Sequence, residues 1–314
     1  MTQVREMELP RFVRVARRLL PSEAEAKDVV GWRRHMIDQS AFWNGLAGER
    51  WVREQAGLDE MLRPFGAAAL DAARVSPDEA VVDLGCGCGD TSLALATRVG
   101  PSGRVVGLDV SAPMLTRAKE RGARSPNLSF IEGDASSEPL ARSAFDLLFS
   151  RFGVMFFADA PRAFAHLRGA LRPHGRMVFV CWQSLMKNPW AAVPFEAVAD
   201  ILGRPDPQPE DAPGPFSFGD TVRVRNILEG AGFRDVNLRS FEATIAFGAS
   251  GSTDDAVDEI ARLGPVARLL VDRDEVSVAR ALAAIKAVIP AYRGAQGAVQ
   301  FPAAAWIVAA RNAA

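Results

Sequence analysis

The chain has 314 residues, enough for one large domain or two ordinary ones, and its 48% hydrophobic, 24% charged and 8% aromatic composition is that of a soluble globular protein. Its 37 Lys and Arg against 38 Asp and Glu leave a net charge of -1, which removes the broad basic field that a dedicated nucleic-acid binder needs. Three cysteines, Cys86, Cys88 and Cys181, make no disulfide framework and suit the cytoplasm, and no apolar run reaches the roughly 20 residues that span a bilayer.

In chain order, the first predicted element is an amphipathic helix over Arg11 to Leu20, with Phe12, Val15, Ala16 and Leu19 on one face opposite a set of arginines. It lacks the uninterrupted apolar stretch of a signal peptide, and Glu6 and Glu8 argue against a transit peptide. It is expected to dock on its own fold, or on a second subunit in a homodimer, in preference to a membrane surface. Gln39 to Val75 reads as helical, with Leu58, Met61, Leu62, Phe65, Ala69 and Leu70 at helical spacing.

From Ala80 onward, short β-branched runs alternate with helical stretches, the pattern of a parallel sheet covered by helices. Strands are predicted at Ala80 to Gly85, Arg104 to Asp109, Leu128 to Gly133, Phe145 to Ser150 and Arg176 to Trp182, each apolar on both faces as buried parallel strands are. Helices are predicted at Thr91 to Arg98, Ala112 to Arg121 and Pro161 to Leu171, the last ended by Arg172-Pro173-His174-Gly175. Arg204 to Gly219 is too rich in proline to be anything but a loop. Thr221 to Gly230 then reads as helix, Phe233 to Phe247 as extended, Asp254 to Leu263 and Glu275 to Ile289 as helices, and Ala303 to Asn312 as a last strand.

The chemistry is concentrated in VVDLGCGCGD, Val81 to Asp90, a strand running into a small-residue turn and then a helix. Glycines at 85, 87 and 89 let backbone approach a ligand at the carboxyl end of the first strand, where open α/β sheets place their ligands. A dinucleotide fingerprint needs a third glycine at position 90, which holds Asp90 instead, so a nucleotide-cofactor oxidoreductase is disfavoured. The second strand ends in Asp109, 24 residues after Gly85, placed to accept from both hydroxyls of a ribose. The third ends in Gly133-Asp134-Ala135, and the fourth runs into Ser150-Arg151-Phe152-Gly153-Val154-Met155-Phe156-Phe157, so four strand ends converge on one crevice.

This array resembles the class I S-adenosylmethionine (SAM)-dependent methyltransferases, in VVDLGCGCG, VVGLD, FIEGDAS, FDLLFSRFGVMFF and LRPHGRMVFVCW. The resemblance covers Ala80 to Trp182, and within the class it points to the branch that contains quinone-biosynthesis enzymes, whose small-molecule members share a lead-in like AFWNGLAGERW, Ala41 to Trp51. It implies an α/β Rossmann-like sheet with helices on both faces and a closing antiparallel hairpin. It further implies a helical extension and cap over residues 1–75, a SAM-binding core over 76–183, and a remainder, 184–314, whose inserted loop and helices form a substrate lid. His174 departs from the family, which has Gly there.

Carried over to these positions, the resemblance implies that Asp83 and Gly85, with Cys86 and Gly87, hold the methionine amino group and Asp109 the ribose. It places Asp134 and Ala135 at the adenine amino group, Val110 and Met114 on either side of the adenine ring, and Ser150-Arg151 over the methionine end. SAM carries no phosphate, so acceptors for an ammonium, a diol and an exocyclic amine are the groups such a site needs. The implied reaction is SN2 transfer of a methyl group to oxygen, nitrogen or carbon of a small, partly hydrophobic acceptor, with catalysis by proximity and exclusion of water. The alternative is a SAM-binding protein without methyl transfer.

Trp43, Trp51, Phe152, Phe156 and Phe218 are the candidate pocket residues, each equally a core aromatic by composition alone. His35 is the one candidate general base, and His166 reads as structural. Cys86 and Cys88 lack the histidines or second cysteine pair of a tetrahedral metal site and read as small turn residues.

Overall fold

The computed structural model describes residues 39–313 apart from 207–208, 210–211, 249–250, 272 and 296, so the amphipathic segment Arg11 to Leu20 and the candidate base His35 lie outside the described residues. The described chain divides into two compact units, residues 39–184 with 212–241 and 304–313, and residues 185–209 with 242–303.

The first unit opens on three helices, α1 (Gln39–Asn44), α2 (Leu46–Arg53) and α3 (Gln55–Ala73), where the sequence pattern reads as one helical stretch. Gly45 is extended at φ -92, ψ -151 and breaks the first from the second, and Arg74 in the left-handed region at φ 47 stops the third. The alternating core follows: β1 (Ala80–Leu84), α4 (Asp90–Val99), β2 (Arg104–Asp109), α5 (Ala112–Gly122), β3 (Leu128–Glu132), β4 (Phe145–Arg151), α6 (Ala160–Arg168) and β5 (Leu171–Trp182). After α7 (Pro189–Leu202) and α8 (Thr221–Gly230) come β6 (Phe233–Phe247), the helices α9 (Thr253–Ala261), α10 (Gly264–Leu270) and α11 (Glu275–Val288), and β7 (Val299–Asn312).

The seven strands order as β3-β2-β1-β4-β5-β7-β6. β1 lies parallel between β2 and β4, β3 adds to β2, β5 adds to β4, and β7 runs antiparallel to β5 with Cys181 opposite Trp306. The chain winds outward through β2 and β3 and then returns to the other side of β1, so the direction of winding reverses between β1 and β4. Their carboxyl ends border the crevice where such a sheet accepts a ligand.

Both faces are covered, as the side chains of β5 demonstrate. Phe179 and Trp182 are an odd number of residues apart and therefore point to opposite faces. Trp182 packs with Phe65 of α3, ring centroids 4.9 Å apart, while Phe179 packs with Phe164 of α6 at 5.8 Å. Val81, Val82, Leu84, Leu147, Leu148, Phe149, Phe179 and Val180 are buried between these layers.

Two sequence expectations change. β3 is an edge strand, with Ser129, Ile131 and Glu132 exposed, because β2 pairs with it on one side only and no neighbour covers the other. The Pro-Gly stretch that reads as a helix stop lies inside β5. α6 ends earlier, at Arg168, and the β4–β5 pairing jumps from Phe145 opposite Leu171 to Leu147 opposite Arg176, so that residues 172–175 bulge out of the ladder. His174 sits in that bulge at φ 63. Helices α7 and α10 carry no sequence signal that survives Pro189, Pro194 and Pro265, yet α7 forms because Trp190, Ala191, Val198, Ala199 and Leu202 are buried.

The second unit is helical. α7, α9, α10 and α11 pack on one another through Val198, Val257, Ile260, Val266, Leu282 and Ile285, and Lys286 pairs with Asp254 at 3.3 Å.

Candidate active site

The turn between β1 and α4 is tied to β2 by Gly85 and Cys86, whose N–H groups donate to the Leu108 carbonyl at 2.8 and 3.2 Å. Its three glycines lie in the left-handed region, at φ 65, 54 and 83, but do different work. A Cβ on Gly85 would stand 2.8 Å from Gly153 Cα, so that glycine lets the β1 and β4 loops touch. One on Gly89 would stand 3.1 Å from Ala118 and 3.3 Å from Phe130, which is helix–strand packing. Around Gly87 nothing comes closer than Met114 Sδ at 3.8 Å and Trp51 Nε1 at 4.0 Å. Of the three, Gly87 alone is not pressed against another part of the fold. The Cys86 and Cys88 side chains are buried, and burial pushes both thiols up, Cys88 to about 11.

Two buried acids flank this turn. Asp83 is fully buried; its Oδ2 accepts from Thr91 Oγ1 at 2.7 Å and Ser92 Oγ at 2.6 Å, while its Oδ1 has no partner. Burial raises its carboxyl to about 6 against the opposing pull of the two hydroxyls and Arg151. Asp109 accepts from Gly87 N at 2.7 Å through Oδ2 and from Ser111 N at 2.9 Å through Oδ1. Burial raises it too, with those amides lowering it. Each oxygen of Asp109 keeps a second lone pair for a ligand. Asp134, by contrast, is exposed beside buried Ala135 and accepts from Ser136 N at 2.8 Å within its own turn.

At the end of β4, Ser150 Oγ donates to the Leu84 carbonyl at 2.8 Å and accepts from Gly153 N at 3.2 Å, which locks the β4 end to the β1 end. Arg151 does not reach over the crevice as a free cation. It pairs with Asp90 at 2.8 Å and Asp59 at 3.3 Å, and Arg121 pairs with Asp59 at 3.0 Å and Asp90 at 3.4 Å. Arg121 also donates to the Cys88 carbonyl at 2.8 Å, so this closed ring of two cations and two anions braces the glycine turn from outside. The sequence reading missed Asp59 and Arg121, because nothing local marks them; only the fold brings α3 and α5 to the same turn.

The five aromatic candidates separate. Trp43 packs edge-on against Trp51 at 5.8 Å and Phe156 at 5.4 Å, and it is the Trp51 indole nitrogen that comes to Gly87. Phe152, in the left-handed region at φ 61, stacks on Trp182 at 4.1 Å in the layer under α3. Phe218 is 2% exposed and lies against Phe164 and Phe179 in the opposite layer, so it belongs to the core and not with the tryptophans. Val110 is half-buried and Met114 buried at the mouth of the β2–α5 loop.

A methyltransferase-domain family matches residues 81–175. Demethylmenaquinone methyltransferase of Staphylococcus aureus is 30% identical over 176 residues, which cover 52% of this chain and 72% of that enzyme. The chain belongs to the class I SAM-dependent methyltransferases. Solved structures share the methyltransferase fold: a candidate methyltransferase from Bacillus halodurans C-125 at 17% identity and TM-score 0.52, covering 79% of this chain and 99% of that one, is one. Another is a phosphoethanolamine N-methyltransferase of Haemonchus contortus in complex with S-adenosylhomocysteine (SAH), at 14% identity and TM-score 0.50, covering 82% of this chain and 56% of that one. The protein is thus a SAM-dependent transferase with the Rossmann-like sheet of its family, and among its described residues no helix is long and apolar enough to cross a membrane.

Proposed function

We propose that the crevice at the carboxyl ends of β1, β2 and β4 holds SAM with its ribose on Asp109 and its methionine amino group toward Asp83 and Gly85. Val110 and Met114 then flank the adenine, and Asp134 with Ala135 meets its outer edge. The observation that carries this reading is the pairing of the buried Asp109 carboxylate with Gly87 N at 2.7 Å, which sets an acid with spare lone pairs beside the one turn glycine not pressed against another part of the fold. The unpartnered Oδ1 of Asp83, buried in the same turn, is the acceptor a ligand ammonium would complete, directly or through a water. A phosphate-bearing dinucleotide fits poorly, because the Asp90 carboxylate stands at the amino end of α4 where a pyrophosphate would bind.

When bound, the cofactor would supply a methyl group on a positively charged sulfur for in-line transfer to an acceptor oxygen, nitrogen or carbon, the C–S bond breaking as the new bond forms and SAH leaving as a neutral thioether. The protein's part is orientation and exclusion of water. Asp109 would hold the ribose through its remaining lone pairs, and the Trp43, Trp51 and Phe156 rings would wall the crevice with apolar surface suited to a small, partly hydrophobic acceptor. The Staphylococcus aureus relative, named for a small-molecule methylation, supports that acceptor class. Three free, buried cysteines are consistent with a reducing compartment such as the cytoplasm. Incubating the protein with isotopically labelled methyl-SAM and a panel of small phenolic, amine and quinol acceptors, with mass spectrometry of the products, tests the reading. Label in a small apolar acceptor is expected, and label confined to strongly polar or macromolecular acceptors would overturn it.

A further inference from the structure

The α1–α2 junction holds the β2–α5 loop by its backbone. The Asn44 amide uses both ends: Nδ2 donates to the Val110 carbonyl at 2.8 Å and Oδ1 accepts from Ala112 N at 2.8 Å. Between these contacts Ser111 Oγ donates to the Trp43 carbonyl at 2.7 Å. From the other side the same loop is held by Asp109, whose Oδ1 accepts from Ser111 N at 2.9 Å. The junction closes this tightly only because position 48 is glycine: a Cβ there would stand 2.0 Å from the Trp43 carbonyl oxygen and 2.8 Å from Ser111 Oγ.

Asn44 itself is exposed, so water competes for both of its loop contacts and they add little to folding stability. What they fix is position. The residue that carries the aromatic wall, Trp43, is bonded to the loop that runs from Asp109 through Val110, and Asn44 clips that loop on either side of the bond. Only a group with a donor and an acceptor on one short planar side chain makes both contacts; aspartate keeps the acceptor and sets a negative charge against the Val110 carbonyl.

We propose that Asn44 is a positioning residue that couples cofactor binding on Asp109 and Val110 to closure of the aromatic cap formed by residues 39–53, an inference that rests on the cofactor placement given above. Coupling of this kind is reciprocal: a bound cofactor that orders residues 109–112 tightens the cap, and a closed cap holds the loop in its binding form.

Hydrogen exchange of the full chain with and without saturating SAH tests it. In the native protein SAH should slow exchange in residues 84–89 and 109–115 and also, by about tenfold, in residues 39–53. In Asn44→Asp the first two segments should still be protected, while the SAH-dependent gain in 39–53 falls below about twofold; Asn44→Ala, which removes both contacts without adding charge, should behave alike. A merely structural role would speed exchange in 39–53 equally with and without SAH and leave the gain intact. That result, or a native protein in which SAH protects 109–115 but not 39–53, overturns the coupling alone. No protection by SAH at 84–89 and 109–115 in the native protein removes the cofactor placement and this inference with it.

Discussion

Asp83 and Asp109 stand at the ends of neighbouring strands and are both buried, but the protein treats them differently. Asp109 has a backbone N–H on each oxygen, whereas Asp83 has two hydroxyls on one oxygen and nothing on the other. Its carboxyl titrates near 6 in the fold against an ordinary 3.8, so the folded chain holds a proton that the unfolded chain has released between those values. Asp83 therefore favours the fold fully below about 3.8, and that contribution is lost as pH rises through about 6. Relative to the native protein, Asp83→Asn should gain stability on going from pH 5 to pH 7.5, by on the order of 1 kcal/mol, as read by urea unfolding. If the ligand ammonium sits on this carboxylate, SAH affinity of the native protein should rise through the same pH window while that of Asp83→Asn stays flat. Equal pH slopes for the two proteins in both measurements would place the ammonium elsewhere.

The bulge in β5 sets a second residue-level expectation. His174 is exposed and occupies a left-handed backbone conformation that disfavours any side chain, and the contact it makes, accepting from Arg311, is through its backbone carbonyl. His174→Gly should stabilise the fold by about 0.5–1 kcal/mol, less the extra chain entropy glycine brings to the unfolded state. A lower midpoint in thermal unfolding would show that the imidazole does something the geometry does not reveal.

Among the elements, those built from strong local patterns were legible. β1, β2, α4 and α5 fall within a residue or two of the boundaries the sequence implies, because β-branched runs ending in glycine or Asp, followed by a Ser111 cap, carry their own start and stop signals. That Asp109 ends a strand and Gly87 lies in the turn beside it was legible for the same reason, since both sit inside a strand-turn pattern. What could not be read depended on elements far apart in sequence. The Asp59–Arg121–Asp90–Arg151 ring needs α3, α5, α4 and β4 to meet, and the helix α7 with its two prolines holds by burial alone. Phe218 illustrates the limit. On a proline-rich loop it reads as a pocket residue, yet the loop tucks it between Phe164 and Phe179. Phe218→Ala should accordingly cost about 3–5 kcal/mol of stability, whereas Trp43→Ala should change acceptor kinetics while moving SAH affinity by no more than about threefold, roughly 0.6 kcal/mol. Chemical denaturation of the first and steady-state kinetics of the second check the split; a stable Phe218→Ala with altered acceptor preference would restore Phe218 to the pocket.

At the scale of the whole molecule, β1, β2, β4 and β5 are occupied by buried side chains and by the groups proposed to hold the cofactor, which leaves few side chains there to read an acceptor. Acceptor choice is therefore expected to reside in the α1–α3 segment, whose Trp43 and Trp51 pack together with Phe156. All of this depends on the cofactor lying where Asp109 and Gly87 meet, and calorimetric titration of the native protein and of Asp109→Ala with SAH and with NAD tests that most directly. The account predicts saturable SAH binding and no NAD binding by the native protein, with a loss of about 1–3 kcal/mol of SAH binding energy in a folded Asp109→Ala. An unchanged SAH dissociation constant in that variant, or NAD binding in place of SAH, would contradict it.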